Sequence, residues 1–189
     1  MTYAPRIEVP NGYYHLGARG NNKRPIFLDD RDRAHFLRLL RRTSRRYGWS
    51  FWAYCLMRNH YHLVVQIAAD GLSHAMCELN TGYAVAFNRR HGRINHLFGR
   101  RYWSELICTD AHLIQACRYV LQNPVRAGLC ATCEEWRWSS YRGTIGLAPP
   151  QPFLAVDDLL RFVAPNAPDP VQSFRDDCAS MVPKRKSLT

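Results

Sequence analysis

The sequence predicts an α+β fold in which helices pack on a ferredoxin-like (RRM-like) antiparallel sheet. Three observations lead there. Segments of strand-like and helix-like periodicity follow one another in the order β-α-β-β-α-β-α. The second and third strand segments, Trp49 to Met57 and His60 to Ala68, are separated only by Arg58 and Asn59, so they form a hairpin. The chain has 189 residues, 47% apolar and 22% charged, which suits one domain with a true hydrophobic core plus an extension.

The elements follow in order. Tyr13 to Ala18 comes after the turn signal Pro10-Asn11-Gly12 and reads as the first strand. Asp29 or Asp30 caps a helix over 31–47, with Phe36, Leu37, Leu40 and Tyr47 at helical spacing and Gly48 as its stop. After the hairpin, Ser73 opens a second helix with Met76, Leu79, Tyr83 and Phe87 on one stripe, closing at Arg89-Arg90-His91-Gly92. Tyr102 to Cys108 is the fourth strand. Thr109 or Asp110 caps a third helix from Ala111 to Asn123. Pro124 is expected to stop it, because the residue before a proline avoids the α region. These elements make a domain over residues 1–145. Residues 146–189 read as a Pro- and Ala-rich extension with one amphipathic segment, Val156 to Val163, and a basic tail at Pro183-Lys184-Arg185-Lys186.

Charge narrows the partner. Lys and Arg number 26 against 15 Asp and Glu, a net charge of +11 and a pI of 9.7. Such an excess points to a polyanion, nucleic acid first, with a generally basic proteome as the competing explanation. Arg dominates over Lys, which suits forked contacts to phosphate. The N-terminal residues lack the apolar region of a secretory signal, and no apolar run reaches the ~18 residues needed to cross a bilayer, so no membrane association is expected. The seven Cys are odd in number and scattered, as expected for buried thiols in a reducing cytosol. Cys130 and Cys133 have no second pair nearby to complete a zinc ribbon.

The most informative stretch is His60-Tyr61-His62. Side chains at i and i+2 of a strand share a face, so both imidazoles stand side by side while Tyr61, Leu63, Val65 and Ile67 point into a core. Two such imidazoles are half of a metal site. On the third helix an apolar stripe of Leu113, Ile114, Cys117 and Leu121 leaves Gln115, Tyr119, Gln122 and Asn123 on the other face. Tyr119 is then either a half-exposed packing residue or a nucleophile, with Asn123 or Gln122 completing the metal site. Imidazole favours zinc and the later transition metals, whereas amide and water ligands favour magnesium or manganese, so ligand chemistry alone leaves the ion open.

These segments together resemble the REP-associated tyrosine transposases, single-tyrosine HUH enzymes of the IS200-like superfamily. The resemblance rests on five motifs in the family's order between residues 10 and 145. Gly12-Tyr13-Tyr14-His15 with Arg19-Gly20-Asn21 is similar to the opening signature, and Ile26-Phe27-Leu28-Asp29-Asp30 with Asp32-Arg33 and Phe36-Leu37 continues it. Met57-Arg58-Asn59-His60-Tyr61-His62-Leu63 resembles the M-P-N-H-x-H-L core. Tyr119 through Asn123-Pro124-Val125-Arg126-Ala127-Gly128-Leu129 resembles the tyrosine helix and its turn, and Trp136-Arg137-Trp138-Ser139-Ser140-Tyr141 the W-x-W-S-S-Y ending. Arg58 stands where the family has Pro, and Phe98 to Tyr102 departs from its Q-G-R-Y wording.

The resemblance implies an HUH endonuclease fold and a metal-dependent enzyme that cleaves and rejoins single-stranded DNA at palindromic, REP-like hairpins. His60, His62 and Asn123 would bind Mg²⁺ or Mn²⁺. Tyr119 would attack phosphorus and retain the 5′ end as a phosphotyrosine. Arg19, Asn21, Arg24, Arg89, Arg90, Arg100, Arg101 and Arg126 are the candidate DNA contacts, and Tyr14, Tyr102 and Trp103 the candidate stacking platforms. A monomer is favoured over a homodimer, in a bacterial, cytoplasmic, nucleoid-associated setting. Two rivals stand beside this expectation. A catalytically inactive, sequence-specific DNA-binding protein on the same fold fits the charge equally well. A His-based metallohydrolase would need a carboxylate base near the ion, and the segments beside His60 and Asn123 offer none.

Overall fold

The computed structural model describes residues 8–69 and 71–180; the basic tail at 183–186 lies outside them. Four strands, β1 (Tyr13–Arg19), β2 (Ser50–Leu56), β3 (His60–Gln66) and β4 (Trp103–Ile107), form one sheet in the order β2-β3-β1-β4. All neighbours are antiparallel. The expected α+β, ferredoxin-like sheet with packed helices is present.

Alternation along the strands makes two unlike faces. On one, Tyr14 and Leu16 of β1 and Tyr61, Leu63 and Val65 of β3 meet α1 (Asp30–Tyr47) and α2 (Leu72–Arg90). Phe36 and Leu40 come from α1 and Met76, Leu79, Tyr83 and Phe87 from α2; the α2 stripe read from the sequence is buried throughout, while Leu37 and Tyr47 of the α1 stripe are only partly buried against the cluster. The Asp29 carboxylate accepts the Asp32 N–H at 3.1 Å and caps α1, while Gly48 ends it at φ 66°. An unforeseen cap starts α2 one residue before Ser73. The Glu8 carboxylate accepts the N–H groups of Gly71, Leu72 and Ser73 at 2.7, 3.0 and 2.9 Å.

The other face carries α3 (Asp110–Arg126). Its Leu113, Ala116, Cys117, Val120 and Leu121 pack over Ala53, Cys55 and Val64. A bulge between Phe51 and Ala53 turns both Trp52 and Ala53 to this side. After the short α4 (Tyr141–Thr144), α5 (Val156–Val163) and α6 (Pro170–Ser180) complete the layer, contributing Leu159, Phe174 and Cys178. The free edge of β2 is covered by chain from both sides. Leu56 N–H donates to the Trp138 carbonyl (2.9 Å), Ser140 N–H to that of Tyr54 (3.0 Å) and Ala155 N–H to that of Phe51 (2.9 Å).

Pro124 does not stop α3, contrary to the sequence expectation. A proline three residues from the helix end removes a single hydrogen bond, and the turn beyond it is held by its own cap. Gly128, at φ 70°, donates to the Val125 carbonyl (2.9 Å) and Leu129 N–H to that of Pro124 (2.9 Å), the double closure that ends helices at a left-handed glycine. The extra turn carries Arg126 back under Tyr119.

Candidate active site

The unsealed end of the α3 face holds His60, His62, Tyr119 and Asn123. Register explains how strand residues meet there. Gly17 of β1 is opposite His62 and Arg19 is opposite His60, and Gly17 is also opposite Trp103 of β4. Gly17 is required: a Cβ at that position would lie 2.2 Å from the Trp103 ring, so the indole lies flat on bare backbone. His15, two residues earlier on the same face, is thereby brought beside His62.

The polar geometry is continuous. The Asn123 Nδ2 lies 3.2 Å from His62 Nε2, and His62 Nδ1 lies 3.1 Å from His15 Nε2. His60 Nδ1 lies 2.7 Å from Asn59 Oδ1. The Tyr119 ring stands edge-on to both His62 and His15, with centroids 5.6 and 5.8 Å apart, and the Arg126 guanidinium carbon sits 5.4 Å from the Tyr119 centroid. Tyr119 is 39% exposed, so its side chain is only partly used for packing. Residues nearly sixty positions apart in sequence thus converge from β3 and α3.

All three imidazoles are held neutral. Burial, reinforced by the charges of His60, His15 and Arg19, pushes His62 down to about 2. Burial pushes His60 to about 4, with Arg19 adding to the shift and Asn123 opposing it. Burial, with His112 as a lesser cause, pushes His15 to about 4. A neutral imidazole keeps the lone pair that a metal needs.

The donor set fits a weakly held divalent ion. Among the described residues no cluster of three or more His, Cys, Asp or Glu side chains could hold a metal, and the further side chain facing the imidazole pair is the amide of Asn123. Two imidazoles and the carboxamide of Asn123 converge and would hold such an ion, which would supply Lewis-acid chemistry there. Gln122, the other amide considered, is excluded: it is 1% exposed on the far side of α3 and donates to the Cys178 carbonyl at 2.6 Å.

The candidate DNA contacts divide into two groups. Arg19, Asn21, Arg100 and Arg101 line one groove of about 580 Å³ that ends on Trp103. The loops are laced together there, with Asn21 N–H on the Leu97 carbonyl (2.8 Å) and Gly99 N–H on that of Arg19 (3.1 Å). Arg24 is exposed on the rim of the same loop, and Arg126 borders Tyr119. Arg89 and Arg90 lie instead at the end of α2, in the layer across the sheet. Arg90 is committed to the carboxylates of Asp29 and Asp32. Of the three aromatic platforms, Tyr14 and Tyr102 are buried, and Trp103, 39% exposed, remains.

Three residues of the site escaped the sequence reading: His15, Glu105 and His112. With Trp103, Gln115 and Tyr119 they line a pocket of about 450 Å³ beside His62. Alternation in Tyr14-His15-Leu16 places His15 opposite the core, the one signal available; its diagonal placement beside His62, with His15 paired to Val64 and Gly17 to His62, is a tertiary fact.

Comparison with known proteins gives a consistent picture. Residues 8–123 match the family described as Transposase IS200 like. A curated Haemophilus influenzae relative, named as a REP-associated tyrosine transposase, is 25% identical over 134 residues, 61% of this chain and 76% of its own length. A solved structure of a REP-associated tyrosine transposase bound to a REP hairpin superposes with a TM-score of 0.65 and 19% identity, over 80% of this chain and 90% of the other, a likeness of fold. No helix among the described residues is long and apolar enough to cross a membrane.

Proposed function

The chain belongs to the IS200-like transposase family, and on that premise we propose that it cleaves and rejoins single-stranded DNA beside a hairpin, using Tyr119 as nucleophile and a divalent ion, Mg²⁺ or Mn²⁺, held by His60, His62 and Asn123. The observation that carries this reading is the convergence of a hydroxyl-bearing side chain and three neutral metal donors at the open end of one sheet face. The fold relative solved with a REP hairpin supports that substrate class, and a monomer is the state proposed.

In the cleavage step Tyr119 Oη attacks phosphorus. The P–Oη bond forms and the P–O3′ bond breaks; the phenol proton is lost to solvent and the departing 3′ oxygen takes up a proton. The ion, when bound, neutralises phosphate charge and steadies that leaving oxygen. Attack requires the phenol oxygen to give up its proton, and the Arg126 guanidinium, whose carbon lies 5.4 Å from the Tyr119 ring centroid, is the positive charge assigned to assist that loss. The 5′ end stays esterified to Tyr119, which conserves the bond for rejoining by an incoming 3′ hydroxyl. The groove of Arg19, Asn21, Arg100 and Arg101 leads single-stranded DNA over Trp103 to the site.

The test is covalent capture. Full-length protein with stem-loop DNAs and Mn²⁺ is expected to give a denaturation-resistant adduct that disappears in Tyr119→Phe and with EDTA. Hairpin binding without an adduct on any stem-loop, with Mg²⁺ or Mn²⁺, would instead identify a DNA-binding protein that has lost cleavage.

A further inference from the structure

Each histidine of the pair has a second ring nitrogen, and both of those nitrogens are engaged. Asn59 fixes its own amide: Nδ2 donates to the Lys23 carbonyl at 2.9 Å, and a carbonyl only accepts. Its Oδ1 therefore faces His60 Nδ1 at 2.7 Å, and that nitrogen must carry the proton. His60 Nε2 is left with its lone pair.

His62 is held by a longer chain. Its Nδ1 meets His15 Nε2 at 3.1 Å, between two residues that are 6% and 8% exposed. Either nitrogen could be the donor, and Asn123 decides: its Nδ2 only donates, so His62 Nε2, 3.2 Å away, accepts and the His62 proton sits on Nδ1. The Glu105 carboxylate lies 4.0 Å from His15 Nδ1, and its other oxygen lies 3.6 Å from His112. At 4.0 Å this is no hydrogen bond, but the negative charge agrees with a proton on His15 Nδ1 and a lone pair on His15 Nε2. His62 then donates from Nδ1, and its Nε2 is the acceptor that Asn123 Nδ2 faces.

We propose that Asn59 and His15 are positioning residues that hold both histidines as Nδ1–H tautomers, so that the two Nε2 lone pairs are set before any ion arrives. The proposal rests on the reading of His60 and His62 as metal ligands. Ligating histidines generally give their second N–H to such a partner, which fixes ring orientation and tautomer together. Here the partners are an amide oxygen and an imidazole, with Glu105 one step further out.

The experiment is long-range ¹H–¹⁵N correlation spectroscopy of the metal-free, full-length protein, followed by Mn²⁺ titration. Both residues are expected as single Nδ1–H tautomers; an Nε2–H form or an averaging mixture at either residue would overturn the proposal. In His15→Leu, His62 should become a mixture while His60 keeps its tautomer, and the Mn²⁺ dissociation constant should rise about 10–100-fold. His15→Gln keeps an acceptor and should restore both readings toward wild type. Unchanged His62 shifts and Mn²⁺ affinity in a folded His15→Leu would contradict it. Neither measurement needs DNA cleavage. Intact tautomers and Mn²⁺ binding in a protein that forms no adduct would therefore sink the nucleophile assignment and support this one.

Discussion

The two faces of the sheet share four strands and one alternation, yet they end differently. Beneath α1 and α2 the face is apolar from end to end: Tyr14, Leu16, Tyr61, Leu63 and Val65 are all buried in one cluster with both helices. Beneath α3 only half is sealed. Val64, Cys55 and Ala53 disappear under the helix, while His15, His60 and His62 hold the other half next to an exposed Tyr119. The lesson is that a helix covering part of a face leaves a boundary between dry core and solvent. There, imidazoles can be dry enough to stay neutral and still open on one side.

The contrast can be broken most directly by truncation. Phe36→Ala, in the sealed face, should cost about 3–5 kcal/mol in denaturant unfolding. Tyr119→Phe, at the open end, should change stability by less than about 0.5 kcal/mol. Equal losses would mean that the tyrosine is a packing residue after all.

Acid should weaken the half-open face. Unfolded histidines titrate near 6.5, whereas His15 and His60 are pushed to about 4 and His62 to about 2. Above the unfolded value neither state binds protons there, and nothing changes. Between about 6.5 and 4 the unfolded chain takes up protons that the folded chain refuses, so stability falls with pH by up to about 1.4 kcal/mol per unit for each group. Metal-free protein should therefore show a melting temperature that drops through this window, less steeply in His62→Gln. A flat profile would mean the imidazoles are solvated.

Smaller effects should separate the DNA contacts. Trp103→Ala should weaken single-strand binding by about 1–3 kcal/mol in anisotropy titrations. Arg100→Ala should reduce the salt-dependence slope of that binding by about 1. Arg90→Ala should leave the slope unaltered and lower the melting temperature, because its partners are Asp29 and Asp32 in the opposite layer. The reverse pattern would move the DNA path to α1 and α2.

Much of the fold was legible because period and order are local properties. The His60/His62 face, the stripes of α1 and α2 and the glycine stop at Gly48 all follow from spacing. The end of α3 was not, because the rule weighs the steric restriction on Asn123 before Pro124 and overlooks the Gly128 closure that compensates it. Gln122 and Asn123 look equivalent on a helical wheel until α6 claims Gln122 through the Cys178 carbonyl. Arg90 reads as a free cation until Asp29 and Asp32, sixty residues earlier, fold against it. His15 was hidden for the same reason: pairing register is written in the sheet as a whole.

The most direct measurement is peptide mapping of the covalent product. Wild-type protein is incubated with a stem-loop DNA and Mn²⁺, digested with nuclease and trypsin, and the modified tyrosine is located by mass spectrometry. The expected result is a 5′-linked nucleotide on Tyr119 alone, absent after EDTA. A nucleotide on any other residue, or an adduct that survives in Tyr119→Phe, would contradict the assignment of the nucleophile.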